Sequence, residues 1–262
     1  MAAEIRRRLQ QIEREEDVII CLAVESGSRA WGFSSTDSDY DARFIYVRRP
    51  ETYLSVRPER FRDVIERPIV DEVDVNGWDI RKALALFLKS NPPLLEWLQC
   101  PFVYQERFEV ARRLRELLPA YYSPKASFFH YLHMAQGNFR EYLRGPTVWR
   151  KKYFYVLRPL LAMRWIDRGL GPVPIEFDRL VAATVEEASL KTAIADLLAA
   201  KRAGAELDYG PRDAVLSGFA ESELLRFERS AGGRQDPTPT DERVDVLFRE
   251  TLREVWGMTL PA

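Results

Sequence analysis

The 262-residue chain holds two cysteines, Cys21 and Cys100, and two histidines, His130 and His133. Two cysteines cannot build a disulfide framework, and neither stands in a CxxC pair, so a disulfide scaffold and a cysteine-based metal knuckle are both excluded. The two histidines share the motif HYLH with no third ligand nearby; they read as ordinary core or surface residues. An excess of one charge is also missing, since Lys plus Arg number 39 and Asp plus Glu 40, for a net charge of −1. That excludes a uniformly basic coat for nucleic acid and leaves room for a local basic patch. No run approaches the roughly 18 apolar residues of a membrane span, and the N-terminus, MAAEIRRRLQQIEREEDV, lacks the apolar stretch of a signal peptide. These absences predict a soluble, cytoplasmic protein with no membrane partner.

What is present is a globular balance, 46% apolar and 30% charged, in a chain long enough for one large domain or two small ones. Ile5, Leu9 and Ile12 lie on one face of a charged helix over 4–16. The run VIICLAV, 18–24, predicts a buried strand; YDARFIYV, 40–47, a second; IVDEVDV, 69–75, a third. DIRKALALFLKS, 79–90, has helical spacing, and Asn91 with Pro92-Pro93 ends it. Beyond residue 105 the pattern predicts helices near 106–118, 125–144, 149–168, 176–200 and 241–256, with a surface loop at 228–240 where Gly, Pro and Thr replace apolar periodicity. The chain thus divides into a small α/β part, residues 1–104, and a helical part, 105–262.

The chemistry is concentrated in GSRAWGFSSTDSDYD, residues 27–41, which joins the first two strands. A cluster of Ser, Thr and Asp between strands is by itself a solvated turn. Here, however, Gly27 and Ser28 offer backbone N–H groups and a hydroxyl to an anion at the end of one strand. Asp39 and Asp41, two residues apart where the next strand begins, project from one face. Paired carboxylates repel unless a cation lies between them, and Mg²⁺ suits such a pair together with substrate phosphates. Trp31 reads as a packing residue, Cys21 as an inert buried thiol, and Arg6-Arg7-Arg8 and Arg112-Arg113 as solvated helix faces.

This segment resembles the glycine-serine…DxD signature of the DNA polymerase β-like nucleotidyltransferase superfamily. With GSRAWG, DSDYDARFIYV, NGWDIRKALALFLKSNP, LEWL and KKYFYVLRPLLA in order over 27–162, the chain is similar to the nucleotidyltransferases associated with RNA ligases. The resemblance implies an α+β fold, a small mixed-sheet catalytic domain followed by a mainly helical one. It implies transfer of a nucleoside monophosphate from an NTP, ATP among them, to an acceptor hydroxyl, with Mg²⁺ or Mn²⁺ as cofactor. Gly27, Ser28, Arg29 and Ser38 fall to the nucleotide, and Asp39 and Asp41 to the metal. A third acid comes from Glu72, Asp74 and Asp79: Asp74 is preferred for its place ahead of a helix, Glu72 shares its strand face, and Asp79 is held in reserve because it also suits a helix N-cap. By role in related enzymes, Lys151 and Lys152 of the helical part meet the triphosphate; Lys151 shares a helix face with Tyr155 and Arg158. The implied acceptor is RNA, in end repair or tailing, with an RNA ligase as partner. A protein or small-molecule acceptor, and an inactive NTP- or RNA-binding module, are the competing readings.

Overall fold

The computed structural model describes residues 1–35, 38–203, 207–230, 236–237 and 240–257. Thr36 and Asp37 of the signature, and residues 231–235 and 238–239 of the expected loop, lie outside them. In chain order the described residues form α1 (Ala2–Glu16), β1 (Val18–Glu25), α2 (Gly27–Trp31), β2 (Tyr40–Arg48), α3 (Pro50–Tyr53), β3 (Val64–Glu66), β4 (Val73–Asp79), α4 (Ile80–Leu88), α5 (Pro92–Gln99), β5 (Val103–Glu106) and α6 (Val110–Tyr121). Then come α7 (Pro124–Tyr142), β6 (Thr147–Trp149), α8 (Lys152–Asp167), α9 (Phe177–Thr184), α10 (Ala188–Arg202), β7 (Tyr209–Pro211), α11 (Ala214–Arg229) and α12 (Glu242–Trp256). The fold class is α+β, as expected.

The chain forms two compact units. One comprises residues 1–30, 39–121 and 238–262; the other comprises 31–38 and 122–237. The expected boundary at 104/105 differs from this division because α6 and α12 carry apolar faces that pack with the sheet unit. Val110, Leu114, Leu117 and Tyr121 of α6 are buried, as are Val244, Leu247 and Leu252 of α12. Arg113 of α6 forms an ion pair with Glu250 of α12, and the ring of Tyr53 meets Phe248 edge-on at 5.1 Å.

The first unit is built on a mixed five-stranded sheet of order β3-β4-β2-β1-β5. β1 runs antiparallel to β2 and β5, and β2 runs parallel to β4. β1 reads as an unbroken apolar run because both its faces are covered: Ile20, Cys21, Leu22, Ala23 and Val24 are all fully buried. A bulge between Ile20 and Leu22 shifts the alternation, so Val18, Ile20 and Ala23 share a core with Ile5, Leu9 and Ile12 of α1. The third strand departs from the expected 69–75. Asp71 and Glu72 adopt left-handed backbone conformations, φ 51° and 60°, and make a tight turn, so β4 begins only at Val73. Pro92-Pro93 ends α4 as expected and also opens α5, where Asn91 accepts a hydrogen bond from the amide of Leu94.

In the second unit, α8 is apolar on nearly every side and fills the core between neighbours, α7 among them. The single helix expected over 176–200 is two, α9 and α10. Arg164 of α8 donates to the carbonyl of Thr184 at 2.9 Å, and Arg168 to that of Ala183, capping α9 from outside. Residues 228–229, expected in the loop, end α11, a helix absent from the sequence expectation.

Candidate active site

β1 ends in Glu25, whose side chain turns inward and is 2% exposed. Its Oε1 accepts hydrogen bonds from the amides of Asp41, at 2.8 Å, and Ser26, at 3.3 Å, while the Tyr104 hydroxyl donates to Oε2. Burial pushes its carboxyl above the usual range, against these three donors. The amide of Ser26 in turn donates to the carbonyl of Asp41 at 2.8 Å. Asp41 is therefore clamped at both backbone polar groups to the turn that begins α2.

Gly27 is required in that turn. Its φ is +61°, and a Cβ placed there would come 2.2 Å from Oδ2 of Asp41. The backbone at Gly27 is thus laid against the carboxylate, an approach open only to a residue without a side chain.

The parallel pairing of β2 and β4 sets Asp41 directly beside Asp74. Both carboxylates reach one cation: Nη2 of Arg43 donates to Oδ1 of Asp41 at 3.1 Å and to Oδ2 of Asp74 at 2.7 Å. Nη1 of the same guanidinium donates to the carbonyls of Ala42 and Asp74. Asp41 has its carboxyl raised, first by burial and also by the negative charges of Asp74 and Asp39, while Arg43 opposes the shift. Asp39 is exposed, and its carbonyl accepts from Nε of Arg29, whose guanidinium lies 3.7 Å from the centre of the Tyr40 ring. Arg43 and Glu25 are absent from the sequence expectation. The signal for Arg43 is its place in the period-two series 39, 41, 43; for Glu25, it is a lone charge closing an apolar strand.

Asp79 is the helix cap. Its Oδ1 accepts from the amide of Arg81 and its Oδ2 from the hydroxyl of Tyr53, both at 2.8 Å. It pairs in register with Tyr46, five strand positions from the Asp41–Asp74 pair. The shared strand face expected for Glu72 and Asp74 is not formed, because Glu72 lies in the turn before β4. Ser38 belongs to the second unit; there its Oγ accepts from the amide of Ser35 at 2.9 Å and lies 3.1 Å from Oγ of Ser35, which also accepts from Lys201. Lys151 and Lys152 stand in the second unit too. Lys151 is exposed, whereas the Lys152 ammonium lies 4.3 Å, 4.9 Å and 4.7 Å from the ring centres of Tyr142, Trp149 and Tyr155.

A family model described as RlaP, the RNA repair pathway DNA polymerase beta family, matches residues 1–250. This chain belongs to that family. It is 46% identical over 257 residues to the uncharacterized protein YcgL of Bacillus subtilis (strain 168), covering 98% of each chain. A crystal structure of a nucleotidyltransferase-like protein from Exiguobacterium sibiricum 255-15 aligns with 94% of this chain and 80% of its own, at 12% identity. The TM-score of that alignment is 0.31.

The donor chemistry of the Asp41–Asp74 pair suits a hard divalent cation: two carboxylates are already turned on one cationic centre, the guanidinium of Arg43, with the exposed Asp39 two residues before Asp41 in the chain. Among the described residues no three His, Cys, Asp or Glu side chains stand together as a ready-made metal cage; the guanidinium of Arg43 is what the two convergent carboxylates hold. No helix among the described residues is long and apolar enough to cross a membrane.

Proposed function

We propose that this chain transfers a nucleoside monophosphate from an NTP to an acceptor hydroxyl on RNA, with release of pyrophosphate. The observation that carries the reading is the β2–β4 register, which sets Asp41 beside Asp74 while the Gly27 backbone lies against the Asp41 carboxylate. Asp39, Asp41 and Asp74 would hold Mg²⁺ or Mn²⁺, which when bound neutralises phosphate charge and lowers the pKa of an attacking hydroxyl. Gly27, through its amide, and Ser28, through its hydroxyl, receive the departing pyrophosphate, with Arg29 alongside them. Glu25 fixes the backbone of Asp41, and Arg43 keeps the two carboxylates facing one centre. The acceptor oxygen bonds to the α-phosphorus as the bond from that phosphorus to the pyrophosphate oxygen breaks, and the hydroxyl proton leaves to solvent. RNA as acceptor, an RNA ligase as partner and the cytoplasm as location rest on the family's place in an RNA repair pathway.

The test supplies each common NTP, labelled at the α-phosphate, with Mg²⁺ and a mixture of RNA and cell protein, to the wild type and to an Asp39→Ala/Asp41→Ala variant. Label on RNA with the wild type alone is the expected outcome. Label on protein would replace the acceptor, and no transfer by the wild type would overturn the reading.

A further inference from the structure

Within the helical unit, β6 and β7 form a two-stranded antiparallel ribbon, three residues long on each side, in which Trp149 pairs in register with Tyr209. Their rings stack, centres 6.0 Å apart and planes 19° from parallel, yet Tyr209 remains 68% exposed. One face of the tyrosine is thus used by the tryptophan, and the exposed area lies on the rest of the ring. Behind the pair, Trp149 meets Tyr142 edge-on at 5.5 Å. The ammonium of Lys152 sits among Tyr142, Trp149 and Tyr155, and Tyr155 meets Trp31 at 5.6 Å. Trp149 is therefore held in a packed row of rings around a buttressing cation, and Tyr209 projects from the end of that row.

The chain leaving β6 is rich in cations. From Arg144 to Lys152 the sequence RGPTVWRKK has four cations and no acid; Glu141 and Asp208 are the nearest acids along the two strands. Lys151 is exposed, and among the described residues it forms no salt bridge; Arg144, beyond the other end of the ribbon, lines a groove with Glu221 and Glu228. Elsewhere in the same unit Arg164, Arg168, Arg212 and Arg226 are all paired with carboxylates. A rigid, outward-facing aromatic ring with the unpaired cation of Lys151 close to its stacking partner in the chain matches single-stranded nucleic acid, whose bases stack on aromatic side chains while its phosphates need positive charge.

We propose that the Tyr209–Trp149 stack, with Lys151 two residues along the chain from Trp149, is a docking surface for single-stranded RNA and receives the acceptor strand. This rests on the nucleotidyltransferase reading for the word acceptor, but the surface stands on its own geometry. It also gives Lys151 a different partner from the triphosphate expected from sequence: the phosphate backbone of the strand. Lys152 acts by holding Trp149 in place.

The experiment measures fluorescence anisotropy of a short labelled oligouridylate on the full chain, over a series of salt concentrations, alongside NTP binding to the same samples. Tyr209→Leu is expected to weaken RNA binding about tenfold or more, and Tyr209→Phe, which keeps the stack, to bind as the wild type. Lys151→Gln is expected to reduce the slope of log affinity against log salt by about one. NTP affinity should be unchanged in all three, which separates this surface from the nucleotide site. RNA affinity in Tyr209→Leu equal to the wild type would overturn the proposal, as would a wild type that does not bind the oligonucleotide. So would a Tyr209→Phe variant that loses binding as the leucine variant does. A deoxyribose oligonucleotide of the same sequence bound more tightly would replace RNA by DNA as occupant. A wild type that binds RNA through Tyr209 yet moves no α-labelled phosphate would overturn the transferase reading and leave the surface intact.

Discussion

Each unit contains a cluster of half-buried charges made of the same ingredients, and the two behave in opposite ways. In the helical unit Glu223, itself buried, accepts from Arg164 at 2.9 Å and from Arg226 at 2.8 Å. Burial alone would raise its carboxyl, yet the two guanidinium groups hold it below the usual range. In the sheet unit the proportion is reversed: Asp41 and Asp74 share one guanidinium, Asp39 adds a third negative charge, and the carboxyl of Asp41 is raised. The buried Glu223 receives both guanidinium groups, which reach the more exposed Glu187 and Asp167 with their remaining N–H groups, and its charge is matched as it stands. The half-buried Asp41 and Asp74 share one guanidinium between them, and such a pair favours any further positive charge it is given.

The sharpest way to break this comparison is to neutralise one carboxylate in each cluster. Asp41→Asn is expected to lower nucleotidyl transfer about a thousandfold while the thermal midpoint stays within about 3 °C of the wild type. If Asp41→Asn instead unfolds the protein and Asp74→Asn leaves transfer intact, the sheet cluster is structural and the contrast fails. Gly27→Ala is expected next in size. The new Cβ collides with the Asp41 carboxylate in a left-handed backbone conformation, so transfer falls by about tenfold or more and stability by about 1–2 kcal/mol; denaturant titration and turnover on one preparation check both. Glu223→Gln should cost about 2 kcal/mol of stability at neutral pH with transfer unchanged.

The same pair of clusters gives a pH signature of known sign. Glu223 and Glu187 both have lowered carboxyls, Glu187 to about 2 through its hydrogen bond from Arg164. Their contribution is present above the ordinary glutamate pKa and is lost as pH falls through the lowered values. The deficit of Glu223→Gln should therefore shrink between about pH 5 and pH 2, as read from urea midpoints across that range. Smallest of all, Arg43→Gln should lose about 1 kcal/mol without divalent cation and regain part of it when Mg²⁺ is added. A variant equally destabilised with and without Mg²⁺ would show that Arg43 serves the sheet and not the carboxylate pair.

Much of the sheet unit was legible in the sequence because its signals are local. The apolar run of β1, the aromatic and branched residues of β2 and the cap at Asp79 each announce themselves within a few residues. Asp41 was legible for the same reason, standing in a short motif between two strands. The start of β4 was not, because nothing in IVDEVDV marks Asp71 and Glu72 as left-handed. The register that sets Asp74 beside Asp41 is a long-range property of strand pairing. The break between α9 and α10 was hidden likewise: the arginines that cap α9 come from α8, some 20 residues earlier. Helix α11 was concealed by Ser217 and Gly218, whose low helix propensity masks an Asp213 cap and a buried face. Arg43 needed both the period-two series and the register to be seen as part of the site.

The three-part make-up of the sheet unit has a consequence for the order in which the protein comes into being. The α4 and α6 surfaces that α12 covers, and the Tyr53 ring that meets Phe248, are synthesised before residues 122–237, the larger part of the second unit. They stay uncovered while residues 122–256 are being made, on the order of ten seconds at ordinary translation rates. A ribosome stalled within that stretch would hold a nascent chain whose five-stranded sheet is finished and whose α12 does not yet exist. Such a chain presents the apolar faces of α4 and α6 to chaperones and proteases, so a helix made long after the sheet decides when those faces are covered.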